Sequence, residues 1–286
     1  MEPNEIIYNH IHDIGKVFYS GVGVNVDDGG GTIAHNLVHD ISQTGIYGRH
    51  WRRDTLPEQR LNQAQPLKIE FNEIHDVMLN LNDGGGIFIR DSNILINNNL
   101  IYNVHSPEKG SPGWGIYLGC ETRWSKVTNN VVYNTIQGVH VWYASRHNLI
   151  ENNIFVDCDD SQIWYQAPED YPLVENKCFR NVFYNSKPDA AIFEVQEDFT
   201  LPAESDYNLI YMAGGITPVI KGPRQQGIST WDAWLKHGYE KNSIVADPMF
   251  KDPANRDYTL LAESPAFKLG FKAIDLSTVG LRGLNR

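Results

Sequence analysis

The chain has 286 residues, enough for one large domain with a substantial core. A formal charge of -11 and a pI near 5.3 exclude nucleic acid and anionic membranes as natural partners, since both select basic surfaces. Three cysteines (Cys120, Cys158, Cys178) without metal-type spacing predict neither a disulfide framework nor a zinc site, and no apolar run approaches the roughly 20 residues of a membrane helix.

Taken in order, the chain repeats itself. One asparagine marks each copy: Asn9, Asn36, Asn72, Asn99, Asn130, Asn153, Asn181 and Asn208, at gaps of 27, 36, 27, 31, 23, 28 and 27 residues. These gaps suit a solenoid unit with loop insertions. Two residues on, Ile11, Val38, Ile74, Ile101, Val132, Phe155, Phe183 and Ile210 are all apolar. Short period-two runs bounded by Gly, Asn and Asp read as strands and turns, and strands this short are stable only when each copy buries its face against the next. A column of buried amides can donate to one neighbour and accept from the other, at a turn tolerant of left-handed dihedrals. The expected fold is therefore all-β: a parallel β-helix of about eight coils, on the order of 40 Å long at about 4.8 Å per coil. The pattern Ile94 to Val104 lies between the two Gly-rich turns and strands at Gly86 and Gly115, and both patterns recur along most of the chain.

Three residues past each asparagine come His12, His39 and His75, then Tyr102, Tyr133, Val156, Tyr184 and Tyr211. The histidines alone suggest a metal, but their continuation as tyrosine and valine predicts a stacked outward row instead, so no metal or other cofactor is expected.

The first copy begins by residue 9 with no capping helix before it, which predicts either preceding material or self-association at that end; no apolar leader precedes residue 4. Coils are expected over 1–212 and a C-terminal cap segment of the same domain over 213–286. In that segment, Ser229 to Gly238 predicts a short helix with Ser229 as N-cap, Asp232 completing a capping box and Gly238 ending it. The tail from Ala246 is expected to pack back along the rod and cover its C-terminal edge.

The second strand of each coil can be registered on its inward residue: Ile46, Ile87, Ile116, Val139, Ile163. The following residues then point outward: Tyr47, Phe88, Tyr117, His140 and Trp164. Two further on come Arg49, Arg90, Gly119, Trp142 and Gln166. With Trp114, these aromatics make a platform suited to the apolar faces of sugar rings, while Arg49, Arg90 and His140 can hold hydroxyls or a carboxylate. A row open to solvent needs a ligand or a loop to cover it, the candidates being Arg52 to Pro66 and Ser106 to Pro112. Acids collect beside it: Asp27 and Asp28 end the first strand, Asp83 opens the Asn82-Asp83-Gly84-Gly85-Gly86 turn, Asp91 ends that strand and Glu121 the next. Glycoside cleavage needs two carboxyl groups, about 5–5.5 Å apart for retention or about 6.5–9.5 Å for inversion. Asp91 and Glu121 could stand one coil apart; Asp83 reaches Glu121 only if the glycine turn folds back.

Asn82-Asp83-Gly84-Gly85-Gly86-Ile87-Phe88, Gly113-Trp114-Gly115-Ile116-Tyr117-Leu118, the Asn-x-Ile-His-Asp copies and the tail Asp247-Pro248-Met249-Phe250 with Ser264-Pro265-Ala266 resemble bacterial right-handed β-helix carbohydrate-active proteins, in particular the group around glycoside hydrolase family 141. That resemblance implies action on plant cell-wall glycans and a secreted or periplasmic full-length parent. It also implies catalytic roles for Asp83 and for an acid after the Gly-Ile-Tyr-Leu strand. Here Gly119 and Cys120 intervene before Glu121. The leading expectation is a glycoside hydrolase using Asp83 and Glu121, with Asp91 in reserve. Its alternatives are a lyase on uronate polymers, in which the arginines hold the substrate carboxylate, and a non-catalytic glycan-binding rod.

Overall fold

The computed structural model describes residues 4–27, 30–49, 66–107, 113–196, 200–222 and 227–282. Within these the chain winds as a solenoid with three parallel sheets, of eight, nine and eight strands, and a separate two-stranded antiparallel pair, Phe250–Asp252 with Asp257–Leu260. Each coil contributes one strand to each sheet. In one central coil Ile94–Asn97 enters sheet A, Leu100–Val104 enters sheet B and Trp114–Leu118 enters sheet C. The pattern Ile94 to Val104 therefore holds two strands. It breaks because Asn98 takes a left-handed φ of 53° and turns the corner between sheets A and B.

The same corner recurs in every coil at the residue before the ladder asparagine, including Tyr8, His35, Phe71, Asn129, Asn152, Arg180 and Tyr207. So the left-handed residue is not the ladder asparagine but its predecessor. The asparagine then satisfies the corner. Asn99 donates through Nδ2 to Ile69 O (2.8 Å) and to Asn130 Oδ1 (3.0 Å), and Asn130 Oδ1 also accepts the Asn99 backbone N–H at 2.9 Å. The chain of amides continues through Asn153, Asn181 and Asn208. At its C-terminal end Glu240 takes over, accepting from Asn208 Nδ2 at 2.9 Å and from the Ser205 and Ser243 hydroxyls. Burial pushes the Glu240 carboxyl above its usual range, against the pull of those three donors.

Inside the coils, Val38, Ile74, Ile101, Val132, Phe155, Phe183 and Ile210 are fully buried, as are Ile46, Ile87, Ile116, Val139 and Ile163 facing them from sheet C. The C-terminal helix is Trp231–Lys236, one residue later than expected. Thr230, rather than Ser229, is its N-cap and accepts from Ala233 N at 3.2 Å. The helix buries Trp234 against Phe193 (ring centroids 5.0 Å apart) at the end of the core. The tail then runs back over sheet B. There Phe250, Ala266, Leu269, Phe271 and Val279 form a second apolar cluster with Leu100, Val131, Ile154, Val182 and Leu209, and Gly280 N reaches Phe71 O at 2.7 Å.

Candidate functional site

The outward row of sheet C forms in register. Tyr47 stands beside Phe88, Phe88 beside Tyr117, Tyr117 beside His140, and His140 beside Trp164. Strict alternation from Ile116 would turn Trp114 inward. Instead Gly115 and Ile116 both face the core: a Cβ on Gly115 would meet Val132 Cγ1 at 2.5 Å and Gly138 O at 2.8 Å. That doubled inward step, available only to a residue without a side chain, puts Trp114 on the same face as Tyr117. The indole of Trp114 lies 4.2 Å from the Tyr117 ring and 4.7 Å from His140, and its Nε1 donates to Gln137 Oε1 at 2.6 Å.

The row is closely stacked. Phe88 and Tyr117 are 4.1 Å apart at 12°, Tyr117 and His140 4.8 Å at 14°, His140 and Trp164 4.3 Å at 14°. Its centre is not open to solvent: Trp114, Tyr117 and His140 expose only 3%, 2% and 2% of their surface. Trp114 lies across the row, so an open platform extends only over the half-buried rings, Tyr47 and Phe88 at one end and Trp164 and Trp142 at the other. Burial drives the His140 imidazole down to a pKa of about 3, with Gln166 pulling weakly the other way. His140 is therefore a neutral stacking ring in the middle of the row, not an exposed hydrogen-bonding head.

Arg49 and Arg90 are paired in register, beyond Tyr47 and Phe88. Arg49 Nε lies 3.5 Å from Asp27 Oδ1, while Arg90 bonds to the Tyr47 hydroxyl and the Cys120 thiol. Asp83 is exposed at a left-handed φ of 58°. Burial raises the Tyr117 hydroxyl and the Asp83 charge raises it further, so this carboxylate acts on the row. Asp91 differs. It is 4% exposed and its Oδ1 accepts the N–H of the adjacent Ser92 at 2.6 Å. Glu121, at a left-handed φ of 59°, is held by Arg123 Nη2 at 3.1 Å. Asp83 precedes its strand and Glu121 follows the next, so the two flank the row instead of sharing one end of it. Asp91 and Glu121 follow the ends of adjacent, in-register strands, one coil apart. Asp28 and segments 50–65 and 108–112 lie outside the described residues.

Sequence reasoning missed Glu194, which continues the row beside Trp164. Its signal was available: Phe193 follows Ile163 as the next inward residue, so Glu194 must point outward. Burial raises the Glu194 carboxyl, and Gln137 Nε2 donates to it at 3.3 Å. It stands three strands beyond Tyr117. At about 4.8 Å per strand that is about 14 Å, too far to partner a carboxylate acting at Tyr117 in glycoside cleavage.

The histidine column stacks face to face. His39 and His75 are 4.9 Å apart at 1°, and His75 and Tyr102 4.7 Å at 10°. Each histidine spends its Nδ1 on the next aspartate, His39 on Asp40 at 2.7 Å and His75 on Asp76 at 2.6 Å. Among the described residues no group of three or more His, Cys, Asp or Glu is placed to hold a metal ion. No helix among them is long and apolar enough to cross a membrane.

Three parallel sheets around a core of stacked aliphatic rows, with an amide ladder at one corner, define a β-solenoid. The model of the right-handed beta helix region matches residues 2–197, and the chain belongs to that family. No curated protein and no solved structure matches the chain.

Proposed function

We propose that this chain is a glycoside hydrolase acting on a plant-type polysaccharide or its oligosaccharides along the outer face of sheet C. The observation that carries the reading is the in-register row, whose half-buried rings lie at both ends of a rigid stacked centre. Sugar rings would lie against the outer edges of Tyr47 and Phe88 at one end and of Trp142 and Trp164 at the other, since the stacked rings turn their faces to one another. Tyr117 and His140, stacked beside those rings, hold them in place, with Trp114 across the centre of the row. Asp83 and Glu121 stand at opposite ends of a five-residue strand, about 16 Å apart along it at about 3.3 Å per residue and beyond the about 9.5 Å of a glycosidase pair, so the carboxyl pair we assign is Glu121 with Asp91, at the same end of adjacent strands. Arg49 and Arg90 bind the polar rim of the sugar.

Two arginines in register favour a second reading, a lyase on uronate glycans, because they would bind a substrate carboxylate bidentately. A digest of mixed plant polysaccharides separates the readings. New reducing ends without ultraviolet absorbance indicate the hydrolase, and an absorbing unsaturated product indicates the lyase. Under the hydrolase reading Asp91→Asn and Glu121→Gln each cut turnover by about 10²–10⁴-fold. Glycan binding with no product of either kind would leave the third reading, a binding rod.

A further inference from the structure

Glu194 stands at the end of the row on sheet C, one strand beyond Trp164 and in register with it. The side chain is half-buried and held from one side. Trp114 Nε1 donates to Gln137 Oε1 at 2.6 Å, and Gln137 Nε2 donates in turn to Glu194 Oε2 at 3.3 Å. The Ser161 hydroxyl donates to the same carboxyl group. Lys221, next in register, gives its Nζ to Asp160 O at 3.1 Å. An ionised carboxylate has about four acceptor sites, so with these two donors in place Glu194 keeps acceptor capacity on its open side.

A diagonal of half-buried rings joins Glu121 to Glu194. Glu121 follows the end of its strand, Trp142 lies on the next strand two residues beyond His140, and Trp164 lies on the one after, level with His140. Glu194 comes one strand later again, three strand steps from the strand that leads into Glu121. At about 4.8 Å per strand, and with up to about 13 Å along the strand direction, the two residues stand about 14–20 Å apart. A disaccharide does not span that distance; a longer chain does. Ring edges along the way suit the apolar C–H surface of a glycan, and a fixed carboxylate at the far end suits a hydroxyl donor, through a charge-assisted hydrogen bond.

We infer that Glu194 is a specificity-determining residue: it binds a hydroxyl of a sugar several units away from the bond cleaved, and so selects long oligosaccharides over short ones. The glycan runs from the Glu121–Asp91 pair along the outer edges of Trp142 and Trp164 and ends on Glu194, while Gln137 and Ser161 hold the carboxylate in place. The position of cleavage is taken from the proposed hydrolase reading, on which this assignment rests. A carboxylate that served only to close its own hydrogen-bond network would have no bearing on substrate length.

Two measurements on the full chain test it: hydrolysis of the series xylobiose to xylohexaose and cellobiose to cellohexaose, and calorimetry of the same sugars on the Glu121→Gln protein. In the parent kcat/KM should rise with chain length. Glu194→Ala should lower kcat/KM for the hexasaccharide relative to the disaccharide by about 10–100-fold, the loss of one hydrogen bond to a charged group. Glu194→Gln keeps the shape and one acceptor oxygen, so it should fold as the parent does, checked by thermal unfolding, and recover part of the length preference. An equal loss on both lengths, or none, in the folded variants overturns the inference, as does a chain that binds none of these sugars. If the parent cleaves nothing, yet Glu194→Ala weakens hexasaccharide binding to the Glu121→Gln protein, Glu194 is upheld and the hydrolase reading is refuted. Cleavage with an unchanged length preference does the reverse.

Discussion

Asn130→Ala tests the amide ladder at its middle. The side chain of Asn130 takes part in five hydrogen bonds. It accepts from Asn99 N and Asn99 Nδ2, and donates to Ile96 O, Thr128 O and Asn153 Oδ1, each at 2.9–3.0 Å. Asn99 Nδ2 keeps Ile69 O and Asn97 O, and Asn153 Oδ1 keeps the backbone N–H of residue 130. The buried Asn99 N–H loses its acceptor outright. One orphaned buried donor costs about 1–3 kcal/mol, and the other lost bonds contribute about 0.5–1.5 kcal/mol each before partial compensation, for a total of about 3–5 kcal/mol. In a solenoid each coil is stabilised by its neighbours, so a break in the middle should also lower the cooperativity of unfolding. Urea denaturation followed by far-ultraviolet circular dichroism measures both. A loss below about 1 kcal/mol with an unchanged m-value would refute the claim that the ladder couples the coils.

Three further changes probe other parts of the structure. The folded-state pKa of His140 lies near 3, below its ordinary 6.5, so the folded state resists protonation and stability is lost as pH falls from about 6.5 toward 3. His140→Phe keeps the stack and should remove that loss, which at about 1.4 kcal/mol per unit amounts to several kcal/mol; parallel acid titrations of wild type and variant would reject it. Glu240 has the opposite sign. Its carboxyl is raised, so its contribution is present at low pH and lost as pH rises through the folded-state value. The stability difference between wild type and Glu240→Gln should therefore move against wild type across that interval, as read by urea unfolding at a series of pH values. Gly138→Ala would bring a Cβ to 2.4 Å from Gln162 O and 2.9 Å from Phe155 Cδ1. It should destabilise by about 1–3 kcal/mol, and a melting temperature equal to wild type would contradict the doubled inward step of sheet C.

The ladder was legible because every coil presents the same buried amide and carbonyl at that corner, and few side chains satisfy both. The register of the row followed from one inward position per coil, since side chains alternate along a strand. Other features were not legible, for identifiable reasons. The corner at Asn98 is a single left-handed residue in the middle of three asparagines, and nothing in the pattern says which of them turns the chain. A second, shorter ladder passed unnoticed because it mixes residue types: Ser125 N donates to Asn148 Oδ1 at 2.9 Å, and Asn148 Nδ2 to Asn176 Oδ1 at 2.9 Å. Nothing in the alternation reveals that Trp114 lies across its own row. Asp83 and Asp91 are the same letter in the sequence, and only the fold separates them, leaving Asp83 exposed before its strand and Asp91 buried after it.

The central claim is that a glycan lies along the outer face of sheet C. A crystal structure of the Glu121→Gln protein soaked with a xylan- or glucan-derived oligosaccharide tests it most directly. The expected result is sugar rings against Tyr47 and Phe88 or against Trp142 and Trp164, with a glycosidic oxygen facing residue 121. An oligosaccharide bound only elsewhere, with this face left to solvent, would contradict it.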